Sequence, residues 1–488
     1  MKNSKLLVSI VLALMLVMVF SFTAMAADQP VAINADQPTP ISAIQPIAIQ
    51  LDGKNIATGD VAPVIVDGRT FIPFRVLFEA MGATVSYNED TRTVSATKDK
   101  LAINFAVGQK DITVTQDNKK EVITTDAASF ISNGRTLVPV RFAAQSLGAT
   151  VGWDAAKRTV LIADTNKLIK AYAGKFTIMD MLLADSAQQA KQSYAFTGTM
   201  KMNLKITDEG KAYPMIMDAK MTGISSATAM EMNVKMSISM DELIKEAIAA
   251  DATTKEQLEA MAAQLKNIDC DYIMDLSTGI YYLKADIFST ALDLEKGTWI
   301  SIDLNKMLQD LGLEELGLGS VEDLNKFSTF GTFDQILAAV VSSTPLTDVN
   351  SYNQLIESLT AVETLLADGS FVKSGNTYTA KTQVTAEGMT INFVLTVNKT
   401  AKDALDSYEI KLDIAEGTTS MLSLNASQNA AEKMTLKMTA NIPDLLTFNL
   451  DAEMQYTKTT KVPALKPAAG DKISPLDLAA LLGGTTTK

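Results

Sequence analysis

Apolar and polar residues alternate with a period of two over long stretches of the chain after residue 193. Met, Leu, Ile and Phe occupy one set of positions, while Lys, Asn, Asp and Thr occupy the positions between them. This alternation predicts antiparallel strands with one buried face and one hydrated face, and strands of this length should form a strongly curved sheet. The clearest examples are Met200–Ile206, Met230–Met240, Ile391–Val397, Tyr408–Ile414, Met434–Ile442 and Leu446–Tyr456.

Segments with a helical period lie between these strands. They are DELIKEAIAADATTKEQLEAMAAQLKN (241–267), DLNKMLQDLGLEEL (303–316), TFDQILAAVV (332–341) and SYNQLIESLTAVETLLADG (351–369). Each carries an apolar stripe, so we predict that these helices cover the apolar face of the sheet. Residues 194–456 are therefore predicted to form a β-rich domain, built either as one sheet or as two sub-sheets, 194–307 and 378–456.

One unit of sequence occurs twice before this region, at residues 66–97 and 132–163, with a constant offset of 66 positions and no gap. Each copy reads as a hairpin, a short helix and a second hairpin, and neither copy buries both of its faces alone. The two copies should therefore complete one small domain. The positions that carry this prediction are the hairpin turns Asp67-Gly68 and Asn133-Gly134, the strand-ending Pro73 and Pro139, and the helix-ending Gly82 and Gly148.

The repeated motif is Asn/Asp-Gly-Arg-Thr-x-x-Pro-x-Arg, followed by Leu/Met-Gly-Ala-x-Val-x-Trp/Tyr. It resembles the copper amine oxidase N-terminal (stalk-like) domain family over residues 47–164. The resemblance implies a small α/β domain with an antiparallel sheet packed on helices, common in secreted and surface proteins of Gram-positive bacteria. In that family the copper and the quinone belong to a separate catalytic domain with histidine ligands. This chain contains no histidine, so we predict no copper amine oxidation.

Arg75 and Arg141 occupy equivalent positions after the proline of each copy. They are candidates for surface contacts to a carboxylate or a glycan phosphate. The alternative, which we favour, is that they hydrogen-bond the carbonyl groups of the adjacent hairpin.

The stretch GIYYLKADIF…GTWISIDLNKM, within 279–307, resembles the strands of lipoprotein-carrier (LolA- and LppX-like) half-barrels. The resemblance implies that an apolar ligand lies between the sheet and its helices, although the lipobox cysteine of lipid-anchored members is missing. The predicted fold class is α+β. A small duplicated α/β stalk-like domain is followed by a larger antiparallel curved-sheet domain covered by apolar helices.

Methionine is abundant, with 24 residues, and it recurs on one face of the predicted strands. Flexible thioethers suit a cavity for varied acyl chains, but such a stripe also suits an ordinary core, which we favour. Cu(I) binding is the third alternative, and the spread of the residues along strands opposes it. The candidate cavity residues are Met200, Met202, Met230, Met232, Met236, Met240, Tyr282 and Trp299.

The N-terminal segment indicates where the protein is located, and the other short segments are predicted to be linkers or tails. Residues 1–26 have a charged start, an apolar middle and an Ala-x-Ala end, which predicts a signal peptide cleaved after Ala26, with an uncleaved anchor as the alternative. Residues 27–46 are predicted to be a flexible Pro-rich leader, 165–193 a connector with a helix, and 457–488 a mobile tail. Cys270 is the only cysteine, and we interpret it as a core residue rather than a reactive thiol.

The net charge of −13 argues against nucleic acid and anionic membranes as partners. The chain offers no recognisable catalytic motif, so we expect no enzyme activity, no catalytic residues, no bound metal and no cofactor. We predict a secreted cell-envelope protein whose β-rich domain binds a lipid-like or other apolar ligand. The alternative is a structural or adhesion protein whose stalk domain contacts cell-wall polymer or a surface protein, and an unrecognised hydrolase remains a third.

Overall fold

The computed structural model describes residues 46–116, 119–189, 191–208, 210–250, 253, 255–306, 330–386 and 388–476. The signal peptide and nearly all of the leader lie outside these residues, as does the helix predicted for 303–316 beyond Lys306. Within the described ranges, no helix combines the length and the apolar character needed to cross a bilayer.

Short strands come first along the chain, and long strands with interspersed helices follow. The helices in the described ranges are α1 (Phe74–Ala80), α2 (Val140–Ser146), α3 (Thr165–Tyr172), α4 (Thr177–Gln189), α5 (Asp241–Ala250), α6 (Lys255–Leu265), α7 (Asp286–Ala291), α8 (Phe333–Ser343) and α9 (Ser351–Leu366). The strands are β1 (Ala48–Leu51), β2 (Lys54–Asn55), β3 (Val64–Val66), β4 (Arg69–Pro73), β5 (Thr84–Asn88), β6 (Thr93–Lys98), β7 (Leu101–Ala106), β8 (Asp111–Gln116), β9 (Lys119–Thr124), β10 (Phe130–Ser132), β11 (Arg135–Pro139), β12 (Ala149–Asp154), β13 (Thr159–Asp164), β14 (Ser193–Asp208), β15 (Lys211–Ser225), β16 (Ala229–Ser239), β17 (Ile268–Asp275), β18 (Ile280–Lys284), β19 (Trp299–Asp303), β20 (Phe371–Ser374), β21 (Thr377–Ala386), β22 (Met389–Lys399), β23 (Leu405–Glu416), β24 (Thr419–Gln428), β25 (Lys433–Ile442), β26 (Leu446–Thr459) and β27 (Ile473–Pro475).

Two compact units divide the chain. We call the first, Ile33–Phe176 with Phe333–Thr364, the repeat unit, and the second, Thr177–Thr332 with Leu365–Lys488, the β unit. The helical pair α8 and α9 thus belongs mainly to the repeat unit, whereas the sequence pattern places it over the large sheet. An apolar stripe requires burial but does not specify which apolar surface provides it.

The two copies of the repeated sequence pair with each other in the repeat unit. Strand β4 of the first copy lies antiparallel to β11 of the second, with Phe71 opposite Pro139, Ile72 opposite Val138 and Pro73 opposite Leu137. Because the offset between copies is 66 positions, exchanging the copies reproduces this register. The pairing is therefore a pseudo-twofold interface within one chain, and residues of both copies share one apolar core.

Two ion pairs follow the same pseudo-twofold relation. Arg69 of the first copy binds Asp126 at 2.5 Å, and the equivalent Arg135 binds Asp60, the equivalent of Asp126, at 3.0 Å. These side chains are exposed, so each pair contributes little stability.

The local signals of the repeat behave as predicted. Asp67 and Gly68 both have positive φ (50° and 72°), as do Asn133 and Gly134 (48° and 71°), which a type I′ hairpin turn requires. Each short helix is followed by a glycine with positive φ, at Gly82 and at Gly148.

One sheet of fourteen strands forms the β unit, in the order β20-β21-β22-β23-β24-β25-β26-β14-β15-β16-β17-β18-β19-β27. All neighbours are antiparallel except β19 and β27 at one edge. The pairing of β26 with β14 joins the two predicted sub-sheets, 194–307 and 378–456, into one sheet. The predicted α+β class, with small sheets followed by a large antiparallel sheet and helices, is confirmed.

The segment predicted to be a mobile tail is ordered over part of its length. Residues 457–459 complete β26, and Ile473–Pro475 forms the edge strand β27. The Trp299 indole N–H donates to Asp471 at 3.1 Å, which anchors the segment just before β27. Composition missed this because the anchoring contacts are made with residues far away in sequence.

Candidate functional site

Cross-strand register in the β unit defines one continuous apolar face. Residues directly opposite each other in a ladder lie on the same face of a sheet. Leu412 lies opposite Phe393 and Leu424. The same row of side chains continues through Met438, Leu450, Met202, Met217 and Ile238. We call this side of the sheet the apolar face.

The methionine-rich part of the apolar face is closed. Met200, Met202, Met232, Met236 and Met240 are only 1–5% exposed, and Met230 packs beside them half-buried. The covering side chains come from the helices α5, α6 and α7, namely Ile244, Leu258, Leu265 and Phe288. The structure brings these six methionines together in a filled core. Their burial does not support their assignment as cavity residues, which stays a prediction.

Tyr282 and Trp299 do not lie with the methionines. Their strand neighbours Tyr281 and Ile300 join the methionine core, so Tyr282 and Trp299 lie on the opposite face. Trp299 is buried there, with the Lys284 ammonium 4.6 Å from the centre of its ring. The eight predicted cavity residues therefore lie on two faces of the sheet, with the six methionines on the apolar face and Tyr282 and Trp299 on the other.

Cys270 lies inside the methionine core, fully buried. Burial raises the pKa of its thiol to about 12, so almost none of it is thiolate at neutral pH. We expect Ellman's reagent to modify Cys270 at less than about 1% of the rate of an exposed thiol, and to react fully in denaturant. Fast modification of the native protein, followed at 412 nm, would contradict the core assignment.

Half-buried side chains mark a second region of the apolar face, on the strands β22 to β26. Leu395 and Val397, further along β22, are closed because they pack with Ile178 of α4. Sequence periodicity identified these strands but not their incomplete cover, which depends on where the helices lie. The half-buried residues are Phe393, Ile410, Leu412, Ile414, Leu422, Leu424, Met434, Leu436, Met438 and Phe448.

Helix α4 is positioned over one end of this region. Asp368, at the start of the short 3-10 helix Asp368–Ser370, accepts hydrogen bonds from Thr177 N (3.1 Å), Thr177 Oγ1 (2.7 Å) and Ile178 N (3.0 Å) and so caps α4. The stripe that begins with Ile178 and Leu182 continues, at helical spacing, with Asp185 and Gln189. A carboxyl and an amide thus follow the apolar residues on the sheet-facing side of α4.

A polar cluster forms where this stripe meets the sheet. Gln189 Nε2 donates to Asp185 Oδ2 at 2.9 Å and to Glu432 Oε2 at 3.3 Å, and Gln428 Nε2 also donates to Glu432 Oε2 at 3.3 Å. Three tyrosines of the apolar face border these groups. We define the polar cluster as Asp185, Gln189, Tyr194, Tyr408, Gln428, Glu432 and Tyr456.

Burial raises the pKa of several members of the polar cluster. Burial raises the pKa of Asp185, and the nearby Lys458 opposes part of that rise. Burial also raises the pKa of Tyr194, with Glu432 and Asp185 adding to the effect. The tyrosine hydroxyls therefore remain protonated donors near two carboxyl groups. Sequence reasoning missed this cluster, and the signal was Asp185 and Gln189 on an otherwise apolar stripe.

Arg75 and Arg141 lie on the surface of the repeat unit. Arg75 Nη1 binds Glu79 at 3.0 Å and approaches the Val85 carbonyl of the following hairpin at 3.5 Å. This geometry suits the favoured hairpin-bonding role for Arg75, and a role for either arginine in ligand contacts stays a prediction. Among the described residues, no three Cys, Asp or Glu side chains group closely enough to hold a metal ion.

Solved structures with similarity to the chain have little sequence in common with it. A DUF1329 family protein from Desulfovibrio piger matches at 9% identity and TM-score 0.18, over 57% of this chain and 92% of its own. A LolA superfamily protein from Nitrosomonas europaea matches at 6% identity and TM-score 0.18, over 57% and 93%. An outer membrane lipoprotein-sorting protein domain from Vibrio parahaemolyticus matches at 8% identity and TM-score 0.20, over 57% and 92%.

Sequence comparison is informative for the repeat unit. No curated protein matches the chain. The profile of the copper amine oxidase N-terminal domain matches twice, over residues 50–162 and 117–179. These overlapping matches cover the duplicated motif and the paired strands β4 and β11. Residues 50–179 therefore contain a copper amine oxidase N-terminal domain, as the motif predicts.

Proposed function

We propose that the β unit holds a lipid-like molecule against the half-buried part of the apolar face, between β22 and β26. The observation that carries the proposal is the contrast in burial along one face. The methionine part is sealed by α5 to α7, whereas ten large apolar side chains on β22 to β26 are only partly buried. Four of the ten lie at the edge of the methionine core, namely Met434, Leu436, Met438 and Phe448. A monomer rarely leaves a contiguous apolar surface of this kind without a use for it.

The chain acts as a secreted, non-enzymatic cell-envelope protein, and the repeat unit serves as a scaffold. The side chains of the half-buried region are aliphatic, aromatic or thioether groups, which offer contact area and no nucleophile. Such a surface recognises the apolar body of a ligand.

Adjacent residues on opposite faces of β25 allow a matched test. Met438 lies half-buried on the apolar face, and Thr439 lies exposed on the other face, hydrogen-bonded to Ser423 at 2.7 Å. We expect Met438→Glu to weaken binding of dodecan-1-ol by at least about tenfold, because a carboxylate in an apolar site is strongly unfavourable. We expect Thr439→Glu to bind the alcohol like the natural chain.

Binding is measured by isothermal titration calorimetry on the full secreted chain, and native mass spectrometry reports any lipid that co-purifies. Equal thermal stability of the two variants shows that a loss of binding is not a loss of folding. If the natural chain binds no dodecan-1-ol and carries no lipid, the proposal fails. That result would favour the alternative, a structural or adhesion protein.

A further inference from the structure

The half-buried region of the apolar face changes character at one end. Across the strands, Tyr408 lies opposite Gln428, and Tyr456 lies opposite Phe196. The next rows, beginning at Ile410 and at Leu412, are apolar throughout. The surface is thus amphipathic along the strand direction, with tyrosines and amides at one end and aliphatic side chains beyond them. A ligand that fits this gradient has a polar head and an apolar body.

Hydrogen bonds within the polar cluster leave it with spare acceptors. Gln189 and Gln428 direct their amide N–H groups at Asp185 Oδ2 and Glu432 Oε2. A carboxylate has about four acceptor positions, so each carboxylate can accept further donors through its second oxygen. The cluster therefore suits a head group that donates hydrogen bonds.

The charges around the cluster select the sign of that head group. The polar cluster contains two carboxyl groups, Asp185 and Glu432, and the cation Lys458 lies opposite Tyr194 on the neighbouring strand. A phosphate or carboxylate head would add a third negative charge to a partly buried site. One ammonium group would instead balance the excess, and the faces of Tyr194, Tyr408 and Tyr456 are surfaces to which cations are attracted.

We propose that the polar cluster binds the amine head of an amphiphile whose apolar body lies along the half-buried rows of β22 to β26. The inference rests on the proposed function, since it names the head group of the same ligand. Asp185 and Glu432 accept from the ammonium group, and the tyrosine rings enclose it. The apolar rows require that the ligand has an alkyl or acyl chain, but they do not select a particular chain.

Three probes with the same alkyl chain length and different head-group charge separate the contribution of the head group from that of the chain. They are dodecylamine, dodecan-1-ol and dodecanoate. We expect the full chain to bind dodecylamine at least about tenfold more tightly than dodecanoate, which corresponds to about 1.4 kcal/mol. In Asp185→Asn with Glu432→Gln, the preference for dodecylamine over dodecanoate should fall to less than about threefold, because the charge that distinguishes the two head groups is removed. Glu416→Gln, an exposed carboxyl at the end of β23, is the matched control and should keep the preference.

The outcomes distinguish the two proposals. If none of the three probes binds, the proposed function fails. If dodecan-1-ol binds but dodecylamine is not preferred, or if the preference survives the double substitution, the lipid-like ligand stands and the amine head group is refuted.

Discussion

Replacing Gly152 by alanine should destabilise the repeat unit by about 3 kcal/mol, a large effect for one added methyl group. Gly152 lies in the middle of β12, where the backbone has no positive φ that would require glycine. A Cβ atom there would stand 1.9 Å from the Leu346 carbonyl oxygen and 2.6 Å from Leu346 Cβ. The segment between α8 and α9 would have to leave the strand it lies on.

The first copy of the repeat provides a control substitution, and the two tryptophans provide fluorescence probes. Ser86 is the equivalent of Gly152 in the first copy and is exposed, so Ser86→Ala should change stability by less than about 0.5 kcal/mol. Trp153 and Trp299 are the two tryptophans, and they lie in different units. In a Trp299→Phe background, urea unfolding followed by Trp153 fluorescence reports on the repeat unit. Equal midpoints for Gly152→Ala and Ser86→Ala would contradict the close contact.

Removing residues 333–364 should abolish cooperative folding of the repeat unit. Leu337, Val341, Leu346, Leu355 and Leu359 are at most 4% exposed. Burying each such side chain is worth about 1.5–3 kcal/mol, so the set approaches the whole stability of a typical domain, about 5–15 kcal/mol. A fragment of residues 46–176 should therefore show a broad, low-temperature transition in circular dichroism.

Returning the helices should restore folding. The rings of Phe176 and Phe333 are 4.5 Å apart between centroids, so a short Gly-Ser linker can join residue 176 to residue 331. Two further contacts hold α9 and the segment before it on the repeat unit. Asp154 accepts a hydrogen bond from Val349 N at 3.2 Å, and Lys175 binds Glu363 at 2.7 Å. We expect the fused fragment, 46–176 with 331–364, to unfold in one sharp transition. A stable 46–176 fragment without the helices would refute this dependence.

The candidate site illustrates the limit of pattern reasoning. Period two identified the strands and the shared face of Met200 and Met202, and it could not tell a sealed face from an open one. That difference arises because α5, α6 and α7 pack on a core that extends from β19 to β26, while α4 packs near one end of β22 and β23. A side chain's exposure depends on what another part of the chain places over it.

Local signals determined much of this protein. The Asp67-Gly68 and Asn133-Gly134 turns, the glycines after α1 and α2, and the alternating strands all act within a few residues, where backbone sterics and hydrophobic periodicity decide the conformation. Tertiary structure alone decided the pseudo-twofold pairing of β4 with β11, the transfer of α8 and most of α9 to the repeat unit, and the joining of β26 to β14. In each case several apolar surfaces of similar chemistry could have packed together. Shape complementarity and long-range contacts, such as that of Gly152 with Leu346, determine which of them do.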